Sequence, residues 1–152
     1  MDVSEATERG GLQALEVFVG TWSMILGFAP SPADAPRART TWEWLAGRRF
    51  LIQRWEVDHP DAPDGIAVIG SDGSESAYAQ HYFDSRGVVR IYDMSLAGPV
   101  WMLERIAAER DFSQRFTGTF SEDRNTISGR WERSDDGKTW THDFDLNYVR
   151  IG

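Results

Sequence analysis

The chain has 152 residues, a length typical of one domain, and a net charge of −8, which disfavours nucleic acid as a partner because an acidic surface repels phosphates. It contains no cysteine, which excludes disulfides, thiolate zinc sites, iron–sulfur clusters and a cysteine nucleophile. No apolar run approaches the roughly 20 residues of a membrane helix, and no basic segment leads into an apolar one at the start. We therefore expect a cytoplasmic protein that does not engage a membrane.

In chain order, residues 1–10 are polar and are expected to be flexible. The apolar spacing over 12–19 predicts a short helix that ends at Gly20. Ten strand-like segments follow, separated by turns rich in Gly, Pro, Asp and Ser. The predicted strands are 22–28, 39–45, 49–57, 66–70, 77–83, 88–96, 100–107, 112–120, 126–133 and 139–151.

Alternation with a period of two indicates that most of these strands have one apolar and one polar face. In the last strand, one face would carry Trp140, His142, Phe144, Leu146 and Tyr148. The alternation blurs over 49–57 and 100–107, so we expect the N-terminal helix or a partner subunit to cover those strands. The pattern predicts an all-β fold, a single antiparallel up-and-down β-barrel of about ten strands over residues 11–152.

The segment Gly20-Thr21-Trp22 opens the first strand directly after the predicted helix. It resembles the glycine-x-tryptophan signature of lipocalins, fatty-acid-binding proteins and nitrobindins. In those calycin-type barrels the tryptophan closes the floor, and an arginine of the last strand lies across its ring. The resemblance implies that Trp22 and Arg150 form such a structural latch.

Four further segments are similar to a bacterial lipocalin-like domain family of unknown function. They are Thr40-Thr41-Trp42-Glu43-Trp44, the stretch 81–87 (HYFDSRG), the stretch 112–118 (FSQRFTG), and the stretch 134–144 (SDDGKTWTHDF). The similarity extends from Leu15 to Ile151. It implies a calycin-type barrel but no activity, because fold alone supplies none.

The 7 Trp, 8 Phe and 4 Tyr residues exceed what a small sheet needs for adhesion. An aromatic wall with a few convergent polar groups is typical of a small-molecule site. We therefore predict that the barrel binds a small hydrophobic or aromatic molecule, although a filled core whose polar groups pair internally is the alternative. The predicted ligand-binding residues are Trp42, Trp44, Tyr92, Gln114, Phe116, Trp131 and His142.

No cofactor is predicted, with haem as the alternative. Nitrobindins bind haem through a histidine on a late strand, so the resemblance makes His142 the candidate ligand; a core histidine hydrogen-bonded to a neighbouring strand is the favoured interpretation. His81 is interpreted as a cross-strand partner of an acid such as Asp93, and His59 as a solvated loop residue. The three histidines lack metal-ligand spacing, so no other metal site is expected.

Two further classes of protein remain open. An enzyme is the less favoured one, since the sequence shows no paired carboxylates and no serine in a nucleophile elbow. The acidic pair Asp135-Asp136 before Gly137 is typical of a turn rather than a calcium loop. A structural homodimer, formed through the mixed faces of 49–57 and 100–107, is the other alternative.

Overall fold

The computed structural model describes residues 11–27, 37–71, 77–107 and 111–152, so the predicted flexible segment 1–10 lies outside the described residues. One α-helical turn over 11–14 continues into a 3-10 turn, Leu15–Phe18. Ten strands follow. They are β1 (Gly20–Leu26), β2 (Ala38–Trp44), β3 (Phe50–Val57), β4 (Gly65–Ser71), β5 (Ala77–Asp84), β6 (Val89–Ala97), β7 (Val100–Arg105), β8 (Ser113–Phe120), β9 (Thr126–Ser134) and β10 (Thr141–Arg150).

Each strand pairs antiparallel with its neighbours in sequence, and β1 pairs with β10 to close the sheet. The predicted fold class, an up-and-down barrel with a short N-terminal helix, is confirmed. The bounds of all ten strands lie within two residues of those predicted. Closure removes the exposed edges that an open sheet would present.

The blurred alternation suggested that the short helix could cover the outside of β3 and β7, but the helix does not lie there. It lies across one end of the barrel, and Leu12, Leu15 and Phe18 are buried in the core. The Phe18 ring packs 5.1 Å from the Trp42 ring and 4.9 Å from the Trp101 ring, measured between centroids. A helix whose apolar side chains point into the barrel closes this end and fills its half of the interior.

The glycine-x-tryptophan segment and the last strand meet at this closed end. The Arg150 guanidinium carbon lies 4.2 Å from the centroid of the Trp22 ring. Its Nη1 donates to the Val19 carbonyl and its Nη2 to the Val17 carbonyl, both at 2.7 Å. Gly20 has a φ of +135°, and a Cβ there would lie 2.9 Å from Arg150 Nη1, so the glycine is required by both backbone and space.

Strand β10 departs from a period of two at its start. His142 pairs with Glu132 in β9, but Phe144 pairs with Trp131, so a β-bulge adds one residue at Asp143. The bulge reverses the face of the residues that precede it. His142 therefore faces solvent, and the inward position predicted for it is wrong.

No helix within the described ranges is long and apolar enough to cross a membrane.

Candidate ligand-binding cavity

The half of the barrel opposite the helix is hollow. It contains a cavity of about 630 Å³, within the ~300–1,000 Å³ of typical small-molecule sites. Its mouth lies at the end where β3 runs into β4 and β5 turns into β6. The lining residues are Met24, Leu26, Gln53, Trp55, Val57, His59, Asp61, Ala62, Pro63, Gln80, Tyr82, Arg86, Arg90, Tyr92, Trp101, Leu103, Gln114, Phe116, Trp131, Phe144, Leu146 and Tyr148.

One wall is a stacked pair of rings. The Trp55 and Tyr82 rings lie 5.3 Å apart between centroids, with an interplanar angle of 29°. Trp55 Nε1 donates to the Pro63 carbonyl at 3.1 Å, which orients the indole. A Cβ at Gly65 would lie 2.2 Å from the indole Cζ2, so only glycine leaves room for Trp55 in this position.

The facing wall is made by rings of β6, β8, β9 and β10. The Trp131 ring lies 5.2 Å from Phe116, 5.7 Å from Tyr92 and 6.5 Å from Phe144, measured between centroids. A Cβ at Gly129 would lie 2.5 Å from the Phe116 Cζ, so this inward glycine makes room for the ring. Flat aromatic surfaces thus flank the cavity on two sides, an arrangement suited to a planar apolar molecule.

A buried carboxylate holds the first wall in place. Tyr82 Oη donates to Asp84 Oδ2 at 2.6 Å, and Arg86 Nη2 donates to the same oxygen at 2.7 Å. Burial alone would raise the pKa of Asp84, but the hydrogen bonds from Arg86 and Tyr82 outweigh it and lower that pKa to about 2. The pKa of Tyr82 is raised, first by burial and then by its bond to Asp84. The phenol is therefore protonated and fixed as a donor.

Near the mouth, two polar side chains donate hydrogen bonds to one amide oxygen. Gln114 Oε1 accepts a hydrogen bond from Arg90 Nη1 and another from Tyr92 Oη, both at 2.8 Å. Burial raises the pKa of Tyr92 despite the nearby guanidinium of Arg90, so Tyr92 also remains a neutral donor. The cavity wall thus contains a cation bonded to a neutral amide.

The deep end contains paired and unpaired polar atoms. Gln53 Nε2 donates to Thr40 Oγ1 at 3.1 Å, and that hydroxyl donates to the Arg54 carbonyl. In contrast, Gln80 Oε1 and Trp101 Nε1 are buried and have no hydrogen-bond partner among the described residues. Gln80 is 4% exposed and Trp101 is 1% exposed, so both orphans are shielded from bulk water. Such groups typically cost about 1–3 kcal/mol each when unpaired.

Of the seven residues predicted to bind ligand, the structure brings four together at the cavity: Tyr92, Gln114, Phe116 and Trp131. Trp42 faces inward but is fully buried in the filled half, against Phe18 and Trp22. Trp44 lies outside the cavity, where its Nε1 donates to Glu16 Oε2 at 2.6 Å. Placing Trp42 and Trp44 in the cavity wall was therefore incorrect, since both belong to the closed end.

The structure does not place the predicted haem ligand at the cavity. His142, the predicted candidate, is outside the cavity, and its Nε2 lies 2.8 Å from Asp145 Oδ1. His59 does line the mouth, but its Nδ1 accepts the Asp61 backbone N–H at 3.1 Å. That hydrogen bond occupies the lone pair of Nδ1. His81 is exposed on the outer face of β5.

The acidic turn after β9 uses its carboxylate internally. Asp136 Oδ1 accepts from the Lys138 N–H at 2.8 Å, the Thr139 N–H at 2.7 Å and the Ser134 hydroxyl at 2.9 Å. These bonds lower the pKa of Asp136 to about 2. In the part of the chain that the structure describes, no group of three or more His, Asp or Glu residues could hold a metal ion.

Sequence reasoning missed several residues of the cavity, above all Trp55, Tyr82, Gln80 and Arg90. The parity of Trp55 was visible, since it alternates with Leu51 and Gln53, and both of these are buried. Tyr82 and Gln80 share a face of β5 and could have been found in the same way. His59 gave no such signal, because its position depends on how the β3–β4 loop folds over the mouth.

The comparisons with known proteins add support for the fold alone. No family model matches the sequence, and none of the curated proteins searched matches it. Among solved structures, Rv2717c from M. tuberculosis is similar, with a TM-score of 0.66 and 14% sequence identity. The match covers 93% of this chain and 98% of that one. The chain therefore shares a β-barrel fold with Rv2717c over nearly its whole length, a relationship consistent with a calycin-like barrel.

Proposed function

We propose that the protein binds a small, largely apolar and aromatic molecule inside the open half of its barrel. The observation that carries this proposal is the cavity of about 630 Å³ between two aromatic walls. A barrel that serves only as a scaffold has no need to leave this volume unfilled, because interiors pack to the density of organic crystals.

The division of the barrel into two halves supports the proposal. Helix side chains and the Trp22 and Trp42 rings fill the closed half, so the fold has the means to fill its interior. The same inward faces leave space in the other half. There, the absence of a Cβ at Gly65 and Gly129 lets the rings of Trp55 and Phe116 lie against the wall. Burial of apolar ligand surface there would favour binding by about 25 cal/mol for each Å² removed from water.

A fluorescence titration with N-phenyl-1-naphthylamine tests the proposal, because this neutral aromatic probe brightens in an apolar site. We expect one saturable site with a Kd on the order of 10–100 µM, as fits a ligand of this size. The matched variant is Leu103→Trp, which places a larger side chain into the cavity from β7. It should raise the Kd for the probe at least about tenfold, a loss of about 1.4 kcal/mol in binding free energy.

Ile91→Trp provides the control, because it adds the same side chain outside the cavity. Ile91 lies on the outer face and is 57% exposed. Its affinity for the probe should equal that of the wild type. Met24→Phe is a smaller filling change to be used if Leu103→Trp overpacks and unfolds the chain. Equal probe binding by wild-type and folded cavity-filled proteins would refute the proposal.

A further inference from the structure

The charges around the cavity mouth differ from those of the whole chain. The protein has a net charge of −8, yet the Phe112 ring near the mouth is surrounded by guanidinium groups. The guanidinium carbons of Arg90, Arg105 and Arg133 lie 5.1, 5.5 and 4.4 Å from its centroid. This side of the mouth therefore gathers three guanidinium groups.

Most of these cations have an acid partner. Arg105 pairs with Asp111 at 3.0 Å, and Arg133 lies 3.8 Å from Asp135. On the adjacent turn, Arg86 pairs with the buried Asp84 at 2.7 Å. Their charges are thus balanced within the protein, and they add little net attraction for a ligand.

Arg90 is the exception, and it lines the cavity. Within the described residues, no carboxylate lies at ion-pair distance from it, and Gln114 is the neutral partner of its Nη1. The charge of Asp111 reaches Arg90, but that carboxylate is bonded to Arg105. A guanidinium has five N–H donors, and the bond to Gln114 uses one of them. Gln114 Oε1 already accepts from Tyr92 as well, so Tyr92 and Gln114 orient the guanidinium without neutralising it.

We infer that the ligand is an organic anion, an aromatic ring system whose carboxylate-type group binds Arg90 at the cavity mouth. This inference rests on the proposed function and adds to it the chemical class of the ligand. A guanidinium beside an apolar space, with no carboxylate bonded to it among the described residues, favours an acceptor with negative charge, since charge-assisted hydrogen bonds are the strongest that a side chain makes. The rings would lie deeper, between the two aromatic walls.

An aromatic cation fits the same cavity less well. The other charged lining residues are Arg86, which is paired with Asp84, and Asp61, which is exposed at the mouth where water screens it. A cation between the walls would have to approach Arg90, and the buried carboxylate of Asp84 is already bonded to Arg86 and Tyr82. The balance of charge at the cavity surface therefore selects an anion.

Two fluorescent probes with the same ring system test this inference separately from the proposed function. 8-Anilinonaphthalene-1-sulfonate is N-phenyl-1-naphthylamine with an added sulfonate. In low-salt buffer, the wild type should bind the sulfonate at least about tenfold more tightly than the neutral probe. Arg90→Gln should weaken the sulfonate about tenfold and change the neutral probe less than about twofold, because only the charged contact is lost.

Gln114→Glu provides an independent variant, since a carboxylate at that position would neutralise Arg90 with almost no change in volume. It should also weaken the sulfonate selectively. Arg54→Gln is the control, because it makes the same change in net charge on the outer face of β3. It should leave both affinities as they are in the wild type.

The outcomes are distinct. Selective loss of the sulfonate in both cavity variants would support the inference. Binding of both probes with equal affinity, unaffected by Arg90→Gln, would overturn it while leaving the apolar site intact. Binding of neither probe by the folded wild type would overturn the proposed function, and this inference with it.

Discussion

The guanidinium of Arg150 covers the indole of Trp22, with 4.2 Å between the guanidinium carbon and the ring centroid, and the same group donates to two carbonyls of the N-terminal segment. It therefore joins the last strand, the first strand and the helix that closes the barrel. A cation–π contact contributes about 0.5–2 kcal/mol, and hydrogen bonds from a charged donor contribute about 1.5–3 kcal/mol. The closed end depends on this one side chain more than on any single ring contact.

We predict that Arg150→Met lowers the free energy of unfolding by about 2–3 kcal/mol, because it removes these hydrogen bonds and keeps only the aliphatic stem. Urea unfolding followed by tryptophan fluorescence measures the change. Arg130→Met, on the exposed face of β9, should cost less than about 0.5 kcal/mol. Equal stabilities for the two variants would show that Arg150 does not act as a latch.

Two inward glutamines should respond in opposite ways to the same substitution. Gln53→Leu removes the donor to Thr40 and should lower the free energy of unfolding by about 1–3 kcal/mol. Gln80→Leu removes a buried oxygen that has no partner among the described residues, so stability should be unchanged or rise by about 1 kcal/mol. Denaturant midpoints of the two variants test this difference, and a large loss in Gln80→Leu would mean that its amide is paired in the unliganded protein.

Asp84 gives the protein a predictable dependence on pH. Its pKa is about 2 in the folded state against about 3.8 ordinarily, so the unfolded state binds the proton more readily. The resulting stability is present above about pH 4 and is lost as the pH falls towards about 2. Because Arg86 is more than half exposed, we expect Asp84→Asn to cost only about 1–2 kcal/mol at pH 7.

Urea unfolding at a series of pH values between 7 and 2.5 measures this effect. The difference between the wild type and Asp84→Asn should shrink as the pH falls below 4. Asp93→Asn, on the exposed outer face of β6, should follow the wild-type curve at every pH. A constant difference between the wild type and Asp84→Asn over the whole range would contradict the assigned role of Asp84.

Alanine substitutions should weaken probe binding at residues that line the cavity, but not at His142, which only the sequence pattern placed there. Trp131→Ala removes a ring from the cavity wall and should weaken N-phenyl-1-naphthylamine at least about tenfold. His142→Ala changes an exposed side chain and should alter the Kd less than about twofold. If His142→Ala weakened the probe as much as Trp131→Ala, the described position of β10 would be wrong.

The fold could be predicted from the sequence because strands and turns leave patterns in short stretches of residues. Alternation with a period of two identifies strands, and turns such as Asp84-Ser85-Arg86-Gly87 mark where they end. Gly87 has a φ of +84° and its N–H donates to the Asp84 carbonyl, which is the turn chemistry that these residues predict. Ten such strands with short connections favour a closed barrel.

The cavity residues were harder to predict from the sequence. Alternation along a strand shows which face a residue lies on, but not how far along the barrel axis it lies. Trp42 and Trp131 both face inward, yet Trp42 lies in the filled half and Trp131 at the cavity. A single added residue at Asp143 turned His142 outward, and no rule of alternation reveals a bulge. Arg90 shares the inward face of β6 with Tyr92, but its lack of a bonded carboxylate among the described residues depends on the arrangement of several strands.

A crystal structure of the protein grown with N-phenyl-1-naphthylamine would test the central claim most directly. We predict electron density for the naphthyl rings inside the barrel, between Trp55 and Trp131 and above Trp101. A side-chain arrangement that fills this space, or a probe bound only on the outer surface, would contradict the account.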